Sequence, residues 1–298
     1  MYDSSRWDGF ELRPGDIIIS TPPKCGTTWT QMICALLVLQ EPELPLPPDT
    51  LSPWIDMVTR ARAGVFADLE ARAHRRFIKT RTPLDGIPGD PAVTDIRAGR
   101  DPRDAGLPMG RHIGSTDIGA FRSQRERAAA IDGTGPGPLR PPRPRPGGER
   151  DRFWRRADDE PPSTQAGSPL RRTVEHLQRF RDAPGDLDVV VLRYDDLKAG
   201  LEGQTRQLAA RLGIDVGEHR RPRLAQAATF EPMRSRAGTT VPGGGPGHWI
   251  DPAAFFSRGT SGQWRDLLDD AGLARYAARV RALAPGSLVE RVHREPIG

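Results

Sequence analysis

A short apolar run leads directly into a lysine-containing loop and then into an amphipathic helix, and this arrangement restricts the fold more than any other part of the sequence. The run and its loop read Ile17-Ile18-Ile19-Ser20-Thr21-Pro22-Pro23-Lys24-Cys25-Gly26-Thr27-Thr28. A nearly continuous apolar strand is typical of a parallel sheet covered on both faces. After the loop, apolar residues recur at helical spacing, at Trp29, Met32, Ile33, Leu36 and Leu37.

The loop has the chemistry of an anion-binding site. Free backbone N–H groups at a helix start, together with the helix dipole, favour negative charge there. Lys24 adds a point charge, and the hydroxyls of Thr27 and Thr28 add hydrogen-bond donors. The Gly-Lys-Ser/Thr ending of the common nucleoside-triphosphatase loop is missing. The sequence therefore predicts a phosphate-binding loop that differs from the common one in its residues.

Strands and helices alternate along the chain. Strands are predicted at 16–21, 77–80, 93–99 and 187–194, and helices at 27–40, 170–177, 201–212 and 273–283. Asp95 and Arg97 interrupt the third strand, and buried charges cost several kcal/mol each unless they are paired. The alternation predicts an α/β fold of the P-loop type, with a mostly parallel sheet flanked by helices.

Length and composition narrow the class of protein. The 298 residues suffice for a single domain with a sizeable core, predicted here to span 1–298. Within it, residues 133–168 are rich in Pro, Gly and Arg, and they are predicted to form a mobile surface insertion that buries no apolar area. The net charge of +5 suits polyanionic ligands such as nucleotides, although an arginine-heavy composition alone would also produce it.

The cysteines and the apolar runs of the sequence indicate where in the cell the protein is expected. The two cysteines, Cys25 and Cys34, lie nine positions apart in the loop–helix unit, which disfavours a structural disulfide. No apolar run reaches membrane-spanning length, and residues 1–12 contain no signal-peptide core. A cytoplasmic protein without a membrane segment is predicted.

Four blocks of residues follow one another between about residues 15 and 270. They read Pro22-Pro23-Lys24-Cys25-Gly26-Thr27-Thr28-Trp29, Phe77-Ile78-Lys79-Thr80, Gly99-Arg100-Asp101-Pro102-Arg103-Asp104 and Phe255-Phe256-Ser257-Arg258-Gly259-Thr260-Ser261-Gly262-Gln263-Trp264. In this order and at this spacing they resemble the cytosolic sulfotransferases that use 3′-phosphoadenosine 5′-phosphosulfate (PAPS), especially actinobacterial members. The family counterparts are Pro-Lys-Ser-Gly-Thr-Thr-Trp, Lys-Thr-His, Arg-Asn/Asp-Pro-Lys/Arg-Asp and Arg-Lys-Gly-x-x-Gly-Asp-Trp.

The resemblance implies a reaction and a set of site residues. The reaction is in-line sulfuryl transfer from PAPS to a small hydroxyl or amine acceptor, with adenosine 3′,5′-bisphosphate as product and no obligatory metal. The implied catalytic residues are Lys24, Lys79 and, in the position of the family's histidine, Arg81. The implied nucleotide-binding residues are Lys24, Cys25, Gly26, Thr27 and Thr28 at the phosphosulfate, Trp29, Tyr194 and Phe230 at adenine, and Arg100, Arg258 and Gly259 at the 3′-phosphate.

Three positions depart from the family pattern. Arg81 stands where the family has its catalytic histidine, and an arginine cannot accept a proton at working pH. Pro108 stands where the family has a serine that binds the 3′-phosphate, and proline has neither a hydroxyl nor an N–H. Ser257 replaces an arginine. Arg81 is then either an additional anion clamp or a position without a role, and His112 is a weak candidate for a substitute base.

Most of the candidate residues also have a purely structural interpretation. Lys24 and Lys79 are also consistent with lysines exposed to solvent, and Trp29 with a residue that packs in the core. Arg100 is also consistent with a surface ion pair to Asp101 or Asp104. Cys25 fits a small loop residue, and a thiolate of low pKa beside Lys24 is the less favoured alternative.

Alternative functions remain open at this point. An impaired homologue that binds nucleotide without turnover is favoured by Arg81 and Pro108. A phosphoryl-transfer enzyme is disfavoured by the missing Gly-Lys-Ser/Thr core. Binding of nucleic acid through the basic insertion would depend steeply on salt, but a small-molecule acceptor is predicted rather than nucleic acid or membrane. The sequence carries no signal for the acceptor's identity or for the oligomeric state.

Overall fold

A parallel sheet of four strands forms the centre of the protein. The structure is a computed structural model, and it describes residues 2–107, 116–136, 147–158, 170–242, 249–256, 259–293, 295 and 297. The strands are β1 (Ile17–Ser20), β2 (Phe77–Thr80), β3 (Thr94–Gly99) and β4 (Asp188–Arg193), in the spatial order β2-β1-β3-β4. All three strand pairs are parallel. The predicted α/β fold with a parallel sheet is confirmed.

Helices surround this sheet. In chain order, those of the described residues are α1 (Thr27–Leu39), α2 (Pro48–Leu51), α3 (Arg62–Glu70), α4 (Pro102–Gly106), α5 (Ile118–Ile131), α6 (Glu149–Asp158), α7 (Leu170–Arg181), α8 (Tyr194–Ala199), α9 (Leu201–Arg211), α10 (Arg221–Ala227), α11 (Phe230–Ser235), α12 (Ala237–Thr240), α13 (Asp270–Leu283) and α14 (Gly286–Val292). Short 3₁₀ turns occur at Ser4–Trp7, Leu84–Gly86, Ala253–Phe255 and Gln263–Asp266. No helix in these ranges has the length and apolar character needed to cross a bilayer.

The two faces of the sheet are buried in different cores. Ile17 and Ile19 point into a core that contains the apolar side of α1 and residues of α9 and α10. Ile18, one residue out of phase, points to the opposite core with Trp7 and Ile55. Burial on both faces explains why β1 is apolar throughout instead of alternating with polar residues.

The two charged residues of β3 are accommodated within the sheet. Asp95 is 1% exposed and Arg97 is 4% exposed. Nη1 of Arg97 donates to the carbonyl of Leu177 in α7 at 2.6 Å, whereas Oδ1 of Asp95 has no hydrogen-bond partner among the described residues. Burial, with a smaller contribution from Asp188, raises the pKa of Asp95 to about 7. Nε of Arg97 is also without a partner among the described residues, so the strand forms although both charged residues are only partly satisfied.

Part of the predicted mobile insertion differs from the prediction. Residues 149–158 form α6, which buries Phe153 and Ala157 in a cluster with Tyr276 of α13. The Pro- and Arg-rich run at 139–146 lies outside the described residues. The overall polarity of 133–168 concealed two apolar positions that are four residues apart and so share one helix face.

Candidate active site

The site lies where the carboxyl ends of β1 and β2 meet. Ser20 pairs with Thr80 in register, so the loop at 21–28, called here the phosphate loop, begins beside Arg81. Lys24 adopts a left-handed backbone with φ of 65°. Gly26 has φ of 104° and caps α1, and a Cβ there would contact the ring of Tyr194 at 3.4 Å. The loop thus turns back over the helix start as an anion-binding loop requires.

Arg81 is bonded into the phosphate loop. Its Nη1 donates to the carbonyl of Thr21 at 2.7 Å and to Oγ1 of Thr27 at 2.8 Å. The hydroxyls of Thr21 and Thr27 also hydrogen-bond each other. Arg81 thus joins the end of β2 to the start of α1, which gives this position a structural contact, and its action as an anion clamp stays a prediction.

Lys79 is buried at 1% exposure and Lys24 is half-buried, and the ammonium group of each lies over an aromatic ring. Nζ of Lys24 lies 3.9 Å from the ring centroid of Phe255, and Nζ of Lys79 lies 4.1 Å from that of Trp54. Burial lowers the pKa of Lys24 to about 7, and the cations of Arg81 and Arg100 lower it further. Burial and Arg81 likewise lower the pKa of Lys79 to about 7, against an opposing effect of acidic groups. Lys79 is therefore not a solvated lysine, and Lys24 is partly withdrawn from solvent.

Arg100 lies on the other side of the loop, stacked on an aromatic ring. Its guanidinium carbon is 4.3 Å from the ring centroid of Tyr194, and its Nη2 donates to the carbonyl of Thr260 at 2.9 Å. Asp101 instead pairs with Arg103 at 2.7 Å. The surface ion pair between Arg100 and Asp101 does not form, and Arg100 is buried at 7% exposure.

The segment 259–263, called here the late loop, is fixed to α4. The carboxylate of Asp104 accepts from the N–H groups of Gly262 at 2.7 Å and Gln263 at 2.9 Å. Asp104 is therefore committed to backbone donors rather than to a hydrogen bond with Arg100, whose Nε has no partner among the described residues. These contacts place the late loop beside Arg100.

The aromatic residues predicted at adenine fall into two groups. Trp29 donates to the carbonyl of Ala228 at 2.8 Å and meets Tyr194 edge to face, with centroids 5.1 Å apart. Phe230 lies against Gly259, which has φ of +62° and where a Cβ would approach the ring to 2.7 Å. The structure thus brings Trp29 and Tyr194 together with Arg100, and Phe230 together with the late loop.

Cys25 is fully buried within the loop. Its exposure is 0%, and burial raises the pKa of its thiol despite the nearby cations of Arg100, Arg156 and Arg81. The less favoured alternative of a reactive thiolate is wrong, because desolvation outweighs the attraction of these cations.

The sequence analysis missed Asp56 and Trp54, which lie beneath this site. Oδ2 of Asp56 accepts from Oγ1 of Thr80 at 2.6 Å, from N–H of Arg81 at 2.8 Å, and from N–H and Oγ1 of Thr82 at 2.9 and 2.7 Å. The carboxylate therefore fixes the chain on both sides of Arg81. The only local signal is an aspartate flanked by apolar residues in a Pro-rich segment.

His176 also escaped notice, and it is not a substitute base. Its Nε2 lies 3.2 Å from Oγ of Ser20. That hydroxyl donates to the carbonyl of Thr82 at 2.6 Å, so Nε2 must carry the proton and donate to Ser20. Burial lowers the pKa of His176 to about 3. The predicted positions Pro108, His112, Ser257 and Arg258 lie outside the described residues.

Sequence comparison identifies the family. A family model described as "Sulfotransferase domain" matches residues 14–107 and 165–285. A glycolipid sulfotransferase of Mycobacterium bovis (strain BCG / Pasteur 1173P2) is 38% identical over 306 residues, which cover 98% of this chain and 92% of the relative. A glycolipid sulfotransferase of Mycobacterium tuberculosis is 37% identical over 305 residues, with the same coverage. The chain belongs to the sulfotransferase family, as its four blocks predict.

Solved structures share this fold. A mouse sulfotransferase, SULT7A1, complexed with PAP has a TM-score of 0.66 at 19% identity, covering 96% of this chain and 90% of that one. Retinol dehydratase in complex with retinol and PAP has a TM-score of 0.64 at 18% identity, covering 99% and 87%. Within the described residues, no three His, Cys, Asp or Glu side chains are placed to hold one metal ion.

Proposed function

We propose that this sulfotransferase transfers the sulfuryl group of PAPS to a hydroxyl of an amphiphilic, glycolipid-like acceptor and releases adenosine 3′,5′-bisphosphate. The observation that carries the proposal is the group of cations around the phosphate loop. Lys79 and Arg100 are buried at 1% and 7% exposure, and burial, reinforced by the cation of Arg81, lowers the pKa of Lys24 and of Lys79 to about 7. Cations desolvated in this way are arranged for an anionic substrate whose charge they would neutralise.

The chemistry requires positioning and charge neutralisation. The acceptor oxygen attacks sulfur, and the bond from sulfur to the bridging oxygen breaks, with its electron pair going to the 5′-phosphate of the departing nucleotide. Lys24 and the N–H groups of the phosphate loop are proposed to stabilise that oxygen, and Lys79 the sulfuryl oxygens. Trp29, Tyr194 and Phe230 are proposed to hold adenine, and Arg100, Arg258 and Gly259 the 3′-phosphate.

Arg81, which stands in the position of the family's histidine, is the main reason to consider an impaired enzyme. Its hydrogen bonds to Thr21 and Thr27 give it a supporting role in the loop, and no finding points to impairment. Because Arg81 cannot act as a base, we propose that the acceptor's proton passes to solvent. Acceptors of lower pKa should therefore react faster, and the rate should rise with pH through the acceptor's pKa.

The acceptor class rests on aromatic surfaces beside the two lysines. The ring of Phe255 covers Lys24 and meets Trp249 edge to face at 5.5 Å between centroids. Trp54 covers Lys79. Aromatic side chains such as these carry large apolar surfaces, which suits the proposed amphiphilic acceptor. The names of the mycobacterial relatives, both glycolipid sulfotransferases, support the same class. The buried, unbonded Cys25 and Cys34 support the predicted cytoplasmic location.

The test is a product assay with three acceptors. Purified protein is incubated with PAPS and a glycolipid, its free sugar headgroup or a simple phenol, and the sulfated product and released bisphosphate are measured by mass spectrometry. We expect turnover of the glycolipid to exceed that of the headgroup. Equal rates on both would refute the lipid requirement.

A melting experiment distinguishes an active enzyme from a homologue that binds nucleotide without turnover. Ligand at about 100 times its Kd adds roughly 2.7 kcal/mol of stability. Stabilisation by adenosine 3′,5′-bisphosphate but not by ADP, without any sulfated product, would favour the impaired homologue.

A further inference from the structure

Arg156 lies on α6, in the part of the chain between the two segments that match the sulfotransferase model. Its side chain reaches from α6 to α4. Nη1 donates to the carbonyl of Pro102 at 3.2 Å. At Gly106, a Cβ would lie 3.0 Å from Cζ of Arg156 and would collide with its Nη1. The guanidinium therefore packs directly against Gly106 of α4, and a side chain at this position would force the guanidinium to move.

Two donors of this guanidinium are buried and unused. Nε and Nη2 are shielded from solvent, and neither has a hydrogen-bond partner among the described residues. These two nitrogens form one edge of the guanidinium, the edge that binds two oxygens of a phosphate or carboxylate together. An unpaired buried donor costs free energy, so this edge is suited to a ligand that supplies the oxygens.

The surroundings of Arg156 are basic. Arg156 shares its surroundings with Arg100 and Arg81. The positive charges of all three arginines act on the thiol of Cys25 and lower its pKa. Burial lowers the pKa of Arg156 itself, and the groups that oppose this effect are the weakly acidic Cys25 and Tyr276 rather than a carboxylate. No ion pair to Arg156 is present among the described residues, so a dianion from outside the protein would be its first strong acceptor.

The helix on which Arg156 packs lies next to residues of the predicted 3′-phosphate site. Arg100 lies two residues before α4, and Asp104 within α4 holds the late loop through the N–H groups of Gly262 and Gln263. Pro108 follows α4 and offers no donor where the family has a serine.

We propose that Arg156 binds the 3′-phosphate of the nucleotide through Nε and Nη2, in place of the donor that Pro108 lacks. The assignment rests on the proposed use of PAPS. It adds a nucleotide-binding residue from a segment outside the family match, and it gives a function to part of the insertion that the sequence presents as a mobile surface.

The experiment compares a nucleotide with and without the 3′-phosphate. Adenosine 3′,5′-bisphosphate and AMP are titrated calorimetrically into the wild-type chain, Arg156→Gln and Arg156→Lys. The control is Arg152→Gln, because Arg152 is an exposed residue of the same helix that donates to Gly147. We expect Arg156→Gln to weaken bisphosphate binding by about tenfold to hundredfold and to leave AMP binding unchanged. Arg156→Lys should lose less, because it keeps the charge without the fork.

The outcomes separate this assignment from the proposed function. An unchanged ratio of bisphosphate to AMP affinity in Arg156→Gln overturns the assignment. Equal losses for both nucleotides, with a lower melting temperature of the unliganded variant, overturn it in favour of a structural arginine. A wild-type chain that does not prefer the bisphosphate over AMP overturns the proposed use of the 3′-phosphate, and with it this assignment.

Discussion

Nη1 of Arg81 donates to Oγ1 of Thr27 at 2.8 Å and thereby links the end of β2 to the first turn of α1. The same nitrogen reaches the carbonyl of Thr21. The residue that stands in the position of the family's histidine is thus part of the support of the phosphate loop, and its charge also lowers the pKa of Lys24 and Lys79.

Replacing Arg81 with histidine should therefore change binding and chemistry in opposite directions. We expect Arg81→His to weaken binding of adenosine 3′,5′-bisphosphate by about tenfold, because charge-assisted hydrogen bonds to the loop are lost. Turnover of poorly acidic alcohols should gain a rise near pH 6–7, since a histidine has a pKa of about 6.5. The measurement is kcat/KM against pH. Arg179→His, at an exposed pair with Asp85, is the control, and unchanged nucleotide affinity in Arg81→His would contradict the linking role.

Nucleotide binding should take up protons above neutral pH. Lys24 and Lys79 each have a pKa of about 7 in the unliganded protein, and a bound anion favours their charged forms. Affinity for the bisphosphate should be highest below pH 7 and should fall as the pH rises toward 9. Calorimetry at pH 8 in buffers of different ionisation enthalpy measures the uptake directly. Zero proton uptake at pH 8 would contradict this coupling between nucleotide binding and lysine protonation.

The same lysines should affect unliganded stability with the opposite sign. Below pH 7 they are charged in both states, so the cost of burying the charge is felt in full. Between about pH 7 and 10.5 the unfolded chain binds more protons than the folded one, and their contribution to the free energy of unfolding should rise with pH. Urea unfolding of the wild type and Lys79→Met across this window tests the sign, because the variant should show a smaller rise.

Asp56 should be far more important for stability than an exposed aspartate. Asp56→Asn replaces the carboxylate that accepts four hydrogen bonds around Arg81, and we expect a loss of about 3 kcal/mol in the free energy of unfolding. Asp68→Asn breaks an exposed pair with Arg60 and should cost less than about 0.5 kcal/mol. Urea unfolding at pH 7.5 measures both. Equal small losses would show that Asp56 does not hold the chain around Arg81.

Asp95 should make the protein less stable as the pH rises from 4 to 7. Its folded pKa of about 7 exceeds the unfolded value of 3.8, so the folded state binds the extra proton in this window. Its contribution should fall by at most about 1.4 kcal/mol for each pH unit. The difference in unfolding free energy between the wild type and Asp95→Asn isolates this slope, because a constant cost of the substitution cancels. A difference that does not vary with pH would mean that Asp95 ionises normally.

The elements of the fold were predictable because their signals are local. The apolar run 16–21 and the helical stripe after it predict β1 and α1 to within one residue at each end, and β2 agrees with its predicted bounds. The third strand was harder, since Asp95 and Arg97 look unfavourable until the backbone carbonyl of Leu177 is seen to accept from Arg97.

Candidate site residues within the sequence blocks could be proposed from the sequence, and the structure brings several of them together, whereas residues that contact them from distant parts of the chain could not be proposed. Lys24, Lys79 and Arg100 belong to the blocks, and Arg81 directly follows the second block. Asp56, from a Pro-rich segment, contacts the chain at Arg81, and Arg156, from the insertion, contacts α4 at Pro102. Contacts between residues so far apart in sequence leave no periodic or motif signal in a single chain.

The left-handed backbone of Lys24 sets selection for folding against selection for activity. A non-glycine residue at φ of 65° pays about 1 kcal/mol, and a buried ammonium adds to this cost. Glycine at position 24 would relieve both. In a mutant library screened only for expression, variants that lost this lysine should become more frequent, whereas a screen for sulfated product should remove them.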